Sequence, residues 1–463
     1  MEKSPDWRRS LLRELFDCAV RAAMPDAALE RILKIEDGAL FVAGESIGFS
    51  GAVHVIALGK GAAPMAACAE RLLGERLAGG IAIVKDGHGL PLRRIRLLEA
   101  AHPVPDSRTS IACAELFRYL RRIAPGDLVL ALVTGGASAL TTTPADGLTL
   151  EDLQRTTSAL LACGASIHEM NAVRKHLGRV GGGRLVQAAE GASVRAILIS
   201  DVIGDRADVI ASGPFAPDAS TFADALDVIG RYGIEGRVPA TVIRHLEQGA
   251  LGIIPETPKA GDAVFARVKN IVAASNATAL SAIARRAAAH GLRVAVDDAL
   301  MQGEARSAAL SLLERAGREF SKRPSEPLCF VAGGETTVTL GDSAGLGGRC
   351  QEMALAAALQ IQNDRRITAL FAGTDGTDGP TDAAGGFADA DCFGRLMQLG
   401  AGEARRLLEG HESYQALERC SALFRVGPTR TNVMDVAMVI IESTNQQAET
   451  DAYGRTGKEN HAL

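Results

Sequence analysis

The residues that could do chemistry in this chain gather in glycine-rich loops, each following an apolar run. In VIALGKGAAPMAACAERL, residues 55–72, an apolar segment ends in Gly59-Lys60-Gly61 and passes straight into a helical pattern. A strand, a tight turn and a helix N-terminus together favour an anion, because backbone N–H groups and the helix dipole converge there. Lys60 adds a full positive charge. Neither common phosphate signature is met: His54 stands where a Walker A loop has its first glycine, and Pro64 where a dinucleotide fingerprint has its third. The expectation is an anion of unspecified kind, met by Gly59, Lys60 and Gly61.

In LVLALVTGGASALTTTP, residues 128–144, Gly135, Gly136 and Ser138 could hold a carboxylate or phosphate through backbone N–H groups and a hydroxyl; a turn needed only for packing is the alternative. ILISDVIGDRADVIASGP, residues 197–214, sets Asp201, Asp205 and Asp208 in one loop after a strand. Such carboxylates suit Mg²⁺, which takes one or two and shares the rest of its shell with water and phosphate, although spaced aspartates also serve as plain turn formers. VAGGETTVTLGDSAGLGGRCQEMALAAAL, residues 331–359, carries Glu335 and Thr336 at an expected hairpin corner, then Gly347-Gly348-Arg349 at the mouth of an alanine-rich helix. There a guanidinium fork and the helix dipole would clamp phosphate; a surface arginine is the plain alternative. FAGTDGTDGPTDAAGGF, residues 371–387, brings Thr374 and Asp375 into a turn-rich loop without the spacing or closing glutamate of an EF-hand. His88, His102, His168 and His176 show no metal-ligand spacing and read as hydrogen-bonded structural residues.

Positioning these loops requires a sheet. The runs VHVIAL, GIAIV, DLVLALV and RAILI are nearly continuous in apolar residues and alternate with helical patterns at about 63–74, 108–122, 149–163 and 166–177. That is the pattern of a parallel, doubly wound sheet covered on both faces. A Pro- and Gly-rich stretch at 232–266 marks the connection, which predicts an N-terminal domain over 1–250, a second α/β domain with a mixed sheet over 251–445 and a polar tail at 446–463. The second domain is expected to hold strands at 270–274, 292–297, 328–332 and 367–372, a hairpin partner at 336–340, and helices at 277–290, 303–320 and 350–362. A net charge of −5 with both signs interspersed leaves no broad footprint for nucleic acid or a membrane surface. The 8 cysteines are scattered without a C-x-x-C, as in a reduced chain, and neither a signal peptide nor a membrane span is visible, so a cytoplasmic location is expected.

In this order, ALGKGAAPM, AAHPVPDSRT, VTGGASALTTTPADGLTLEDL, HEMNAVRKHLGRVGGGRL, LISDVIGDRADVIASGPFAPD, AGGETTVTLGDSAGLGGRCQEMAL, AGTDGTDGPTDAAGG and VGPTRTNVMD resemble the class II glycerate kinases, whose C-terminal module is the MOFRL domain. The resemblance implies a Rossmann-like N-terminal domain, a C-terminal α/β domain and a site in the cleft between them. It also implies an ATP- and Mg²⁺-dependent enzyme that phosphorylates the 2-hydroxyl of D-glycerate. Lys60 and Arg349 match the family's main catalytic positions, Asp201 joins them, and Mg²⁺ falls to Asp201 or Asp205. Substrate or nucleotide contacts fall to Gly59, Gly61, Gly135, Gly136, Ser138, Glu335, Thr336, Gly348, Thr374 and Asp375. The implied partners are D-glycerate and ATP, with neither nucleic acid nor membrane; the oligomeric state is open, a homodimer being one option. The alternatives are a hydride-transferring hydroxypyruvate reductase and a non-catalytic metabolite-binding regulator.

Ala137, Cys350, Arg430 and Met434 depart from the family pattern. Beside Arg349 and at a helix start, Cys350 would carry a stabilised, reactive thiolate; a buried inert thiol is the other reading.

Overall fold

The structure is a computed structural model that describes residues 7–189, 191–341 and 345–443; the polar segment at 446–463 lies outside these. Contacts divide the chain into two compact units, Pro25–Ala274 on the one hand and, on the other, the segment ending at Met24 together with the chain from Ser275 onward. The boundary therefore falls after the strand expected at 270–274, not at 250. The first helix, Trp7–Ala23, belongs to the second unit.

The 25–274 unit begins with helix Pro25–Ile32, which leads into a small antiparallel meander, β1 (Leu33–Glu36), β2 (Ala39–Val42) and β3 (Glu45–Ser46). Its main sheet has six parallel strands: β4 (Val53–Leu58), β5 (Leu77–Lys85), β6 (Ile95–Ala100), β7 (Leu128–Val133), β8 (Ser193–Ile199) and β9 (Val268–Ala274), in the order β6-β5-β4-β7-β8-β9. The apolar runs are buried throughout β7 and nearly so in β4 because helices cover both faces. Strand order reverses between β4 and β7. Their register brings Leu58 beside Val133, so the loops that follow open side by side, where doubly wound sheets place their ligands. Helices Leu150–Ala162, Ile167–Leu177, Phe222–Arg231 and Ala240–Ala250 build a second apolar cluster with Phe222 at its centre. Helix Ile167–Leu177 starts cleanly because Ser166 and Glu169 form a capping box.

The other unit holds β10 (Arg293–Val296), β11 (Leu328–Gly334), β12 (Ile367–Gly373), β13 (Gly385–Asp389), β14 (Leu423–Phe424) and β15 (Asp435–Ile441), in the order β10-β11-β15-β12-β13-β14. Only β10 and β11 run parallel; the remaining pairs are antiparallel. The hairpin expected at 336–340 does not form. Thr337 makes a single bridge to Glu304, and the antiparallel neighbour of β11 is β15, inserted between β11 and β12 from far along the chain. Among the described residues no helix is long and apolar enough to cross a membrane.

Candidate active site

Each unit carries one constellation at the ends of its central strands. In the 25–274 unit, Gly59-Lys60-Gly61 leaves β4 and Gly135-Gly136 leaves β7. Gly59 is required: at φ +122 a Cβ would lie 2.3 Å from the Thr134 hydroxyl. The amides of this turn are engaged within the protein. Gly59 N donates to Ile83 O, Lys60 N to Gly135 O (3.0 Å), Gly61 N to Thr134 Oγ1 (3.0 Å) and Ala62 N to Gly59 O. The expected backbone anion site at Gly59 and Gly61 is thereby corrected: these glycines shape the turn, and the Lys60 side chain is what it presents. The Lys60 ammonium has no hydrogen bond or ion pair among the described residues, and its stem lies over Gly136, where a Cβ would come within 2.9 Å of Lys60 Cγ and 3.1 Å of His102 Nε2. By contrast, the amides of Gly135 and Gly136 donate to nothing among the described residues.

Asp201, at the end of β8, leans against Gly135, where a Cβ would sit 2.2 Å from its Oδ2. Burial pushes its carboxyl above the ordinary carboxylate range, and its own amide and Lys60 only partly offset this. Asp205 follows in a turn at φ 52, whereas Asp208 is held by the Arg206 fork at 3.1 and 2.7 Å. Ser138 Oγ lies 3.0 Å from Ser212 Oγ, which in turn donates to Asn171 Oδ1. Ala211, Ser212 and Gly213 are successively left-handed, at φ 54, 60 and 64, a strained run held against that serine. Behind Gly136 and Ser138 opens a cavity of about 560 Å³, with His102 at its lining. Burial, then Lys60, Lys85 and His88, hold His102 down to about 4, so its ring is neutral near pH 7.

In the other unit, Gly334 and Gly373 end β11 and β12 on either side of Asp435, the first residue of β15. Arg349, at the first position of helix Arg349–Ile361, meets Asp435 with Nε and Nη2 at 2.5 and 2.9 Å and Glu335 Oε1 with Nη1 at 2.9 Å. Burial works against the Arg349 charge, but the Asp435 hydrogen bonds outweigh it and raise the guanidinium pKa. The helix mouth is also filled. Asp378 accepts from Cys350 N at 3.1 Å and Gln351 N at 2.8 Å, and a Cβ on Gly348 would lie 2.3 Å from Asp378 Cγ. Burial pushes the Asp378 carboxyl up to about 6 even against those two amides. The anion favoured by this helix dipole is therefore a side chain of the protein, and Gly348 serves its close approach.

Thr336 and Thr374 are buried, and their hydroxyls meet Met353 Sδ (3.6 Å) and Met434 O (2.6 Å). Both hydroxyls are thus taken up within the protein, against the expectation that they face a ligand. Asp375 is partly open, with one oxygen engaged by Thr377.

Residues 11–247 match the family described as a domain of unknown function (DUF4147), and residues 328–435 match the MOFRL family. The chain is 39% identical to "Glycerate 2-kinase" of Pyrococcus horikoshii over 92% of its own length and 95% of that protein. It is 36% identical to "D-glycerate 2-kinase" of Thermotoga maritima over 94% of its own length and 99% of that protein. A crystal structure of glycerate kinase from Thermotoga maritima matches with a TM-score of 0.79, at 36% identity over 93% of this chain and 99% of that one. The chain belongs to the MOFRL-type glycerate kinase family.

Against the glycerate kinase pattern, the departures now have structural meanings. Ala137 opens a short helix after left-handed Gly136 and needs no glycine. Arg430 and Met434 sit at φ 68 and 67, which explains why glycine and asparagine suit those positions better. Cys350 is buried, and burial together with the Asp435 and Asp378 carboxylates pushes its thiol well above the ordinary range. The reactive-thiolate expectation fails and the inert reading holds. Sequence reasoning missed Asp435, although an aspartate opening an otherwise apolar run was a visible signal. It also set His102 aside as structural, whereas His102 faces the cavity.

Proposed function

We propose that this glycerate kinase transfers the γ-phosphoryl group of ATP to the 2-hydroxyl of D-glycerate, with Lys60 and Arg349 neutralising charge as it develops. The observation that carries the reading is the unpaired Lys60 ammonium over the open Gly135-Gly136 turn at the strand-order reversal, beside the Asp201 carboxylate. Phosphoryl transfer asks for positioning and electrostatic stabilisation, which these groups can supply without covalent chemistry. The amides of Gly135 and Gly136 would offer donors to phosphate oxygens, whereas the Ser138 hydroxyl is spent on Ser212 Oγ, whose own hydrogen goes to Asn171. Arg349, held by Asp435 through Nε and Nη2 and by Glu335 through Nη1, would act through the N–H groups these carboxylates leave over.

Among the described residues there is no cluster of three or more His, Cys, Asp or Glu that could hold a metal ion. Mg²⁺ needs fewer, since it keeps waters and phosphate oxygens in its shell. Asp201, whose burial is relieved by a nearby cation, fits as its holder, with Asp205 beside it in sequence. When bound, Mg²⁺ would neutralise phosphate charge. Lys60 partly offsets the burial that works against the Asp201 charge, and the Gly135 and Gly136 amides would orient the phosphates.

The reductase reading finds little support. Asp86 follows β5, where a dinucleotide fold has its ribose-binding acid, but Arg108 occupies both carboxylate oxygens at 2.6 and 2.7 Å. Phosphorus NMR of a reaction with ATP and D-glycerate tests the proposal. 2-Phosphoglycerate is expected; 3-phosphoglycerate alone, or no glycerate-dependent release of ADP, overturns it.

A further inference from the structure

The 560 Å³ cavity lies wholly within the 25–274 unit. Leu153, Leu160, Val173 and Leu177 give it an apolar wall, and Gly136 and His102 place its other end beside Lys60. A three-carbon acid would leave most of this volume empty. Its size and lining are those of a pocket for a larger ligand with an apolar body and a few polar anchors.

Helix Ile167–Leu177 sends Arg174 to the cavity lining. The cations near it have partners: Lys175 meets Asp218 at 3.1 Å, and Arg179 meets Asp146 at 3.3 Å and stacks on Phe117. Arg174 has neither hydrogen bond nor ion pair among the described residues. Burial depresses its guanidinium pKa with no carboxylate opposing the shift. A partly desolvated charge without a counter-ion costs stability. Its planar fork of donors matches the oxygens of a phosphate.

We propose that this cavity holds the nucleoside part of the ATP co-substrate and that Arg174 grips one of its phosphates, the phosphate chain leading past Gly136 toward Lys60. The assignment rests on the kinase reading above.

Calorimetric titration with MgATP and with inorganic tripolyphosphate, on the full chain and on Arg174→Met, Arg174→Lys and Thr157→Trp variants, tests it. Losing a charge-assisted contact should weaken MgATP binding about ten- to hundredfold in Arg174→Met, with partial retention in Arg174→Lys. Tripolyphosphate should weaken in parallel. Thr157 lies on the cavity wall, and an indole there would take up volume proposed for the nucleoside: Thr157→Trp should weaken MgATP and spare tripolyphosphate. Because Arg174 has no partner to orphan, the melting temperature of Arg174→Met without ligand should hold or rise, whereas a structural arginine would lower it.

Unchanged MgATP affinity in a folded Arg174→Met protein overturns the assignment. So does a companion titration in which D-glycerate alone binds more weakly to Arg174→Met, which would give Arg174 to the acid's carboxylate. Nucleotide binding is read here without turnover, so failure of this inference is distinct from an absence of 2-phosphoglycerate, which the product assay reports.

Discussion

Replacing Arg349 with methionine removes the partner of a buried carboxylate as well as the cation proposed to act in phosphoryl transfer. The Asp435 side chain is 2% exposed and receives two donors from Arg349. Breaking an enclosed pair from one side costs about 3–5 kcal/mol, since the surviving charge is stranded. The Arg349 side chain is 34% exposed, and solvent screening brings the expectation to about 2–3 kcal/mol. For a unit of this size that is a fall in Tm of about 4–12 °C. An activity loss in this variant alone would therefore be ambiguous. The double variant Arg349→Met/Asp435→Asn separates the effects, because it removes the stranded charge while leaving the cation absent. Differential scanning calorimetry should show more than half of the lost Tm restored. The coupled ADP-release assay should still show kcat down about 10²-fold or more, with Asp435→Asn alone within about tenfold of the parent. If kcat recovers together with Tm, Arg349 serves only to neutralise Asp435, and its place in phosphoryl transfer is refuted.

Lys60→Met should lower kcat by about 10²-fold with Tm unchanged, since no partner is stranded; a comparable loss of Tm would make Lys60 structural. Asp201 keeps its proton to higher pH than an ordinary carboxylate, so activity that needs the ionised form should fall as pH drops through that raised pKa. The acid limb of the kcat/KM profile should accordingly lie above the usual carboxylate range, and Asp201→Asn should abolish that limb and raise the Mg²⁺ requirement. Brief iodoacetamide treatment followed by peptide mapping should label Cys18 and Cys163, which are partly exposed, and spare Cys350; early labelling of Cys350 would contradict its burial. Arg430→Gly should relieve a left-handed backbone by about 0.5–1 kcal/mol net of the entropy glycine adds to the unfolded chain, visible as a rise in Tm of about 1–4 °C.

What could be read from the sequence follows from how far apart the interacting residues lie. The parallel strands were legible because helices on both faces demand unbroken apolar runs, and their ends were legible because glycine and proline punctuate them. β9 was found at its place but assigned to the wrong unit, since nothing in its own residues says that its neighbour is β8. β15 escaped for the same reason: its position between β11 and β12 is a pairing decision made across about a hundred residues. The site shows this more sharply. The loops that carry Lys60 and Asp201 in one unit and Glu335 and Arg349 in the other were evident from residue type, but which donors within them face outward was not. Gly61 N is engaged by Thr134 and the amides of Cys350 and Gln351 by Asp378, so two apparent anion cradles are already closed by the protein. Availability is thus a property of partners, and it also works in the other direction. Arg174 looks in sequence like one more cation on an amphipathic helix beside Lys175 and His176. Only the structure shows that Lys175 is taken by Asp218 and His176 by Glu256, leaving Arg174 as the charge on that helix turn that a ligand could satisfy.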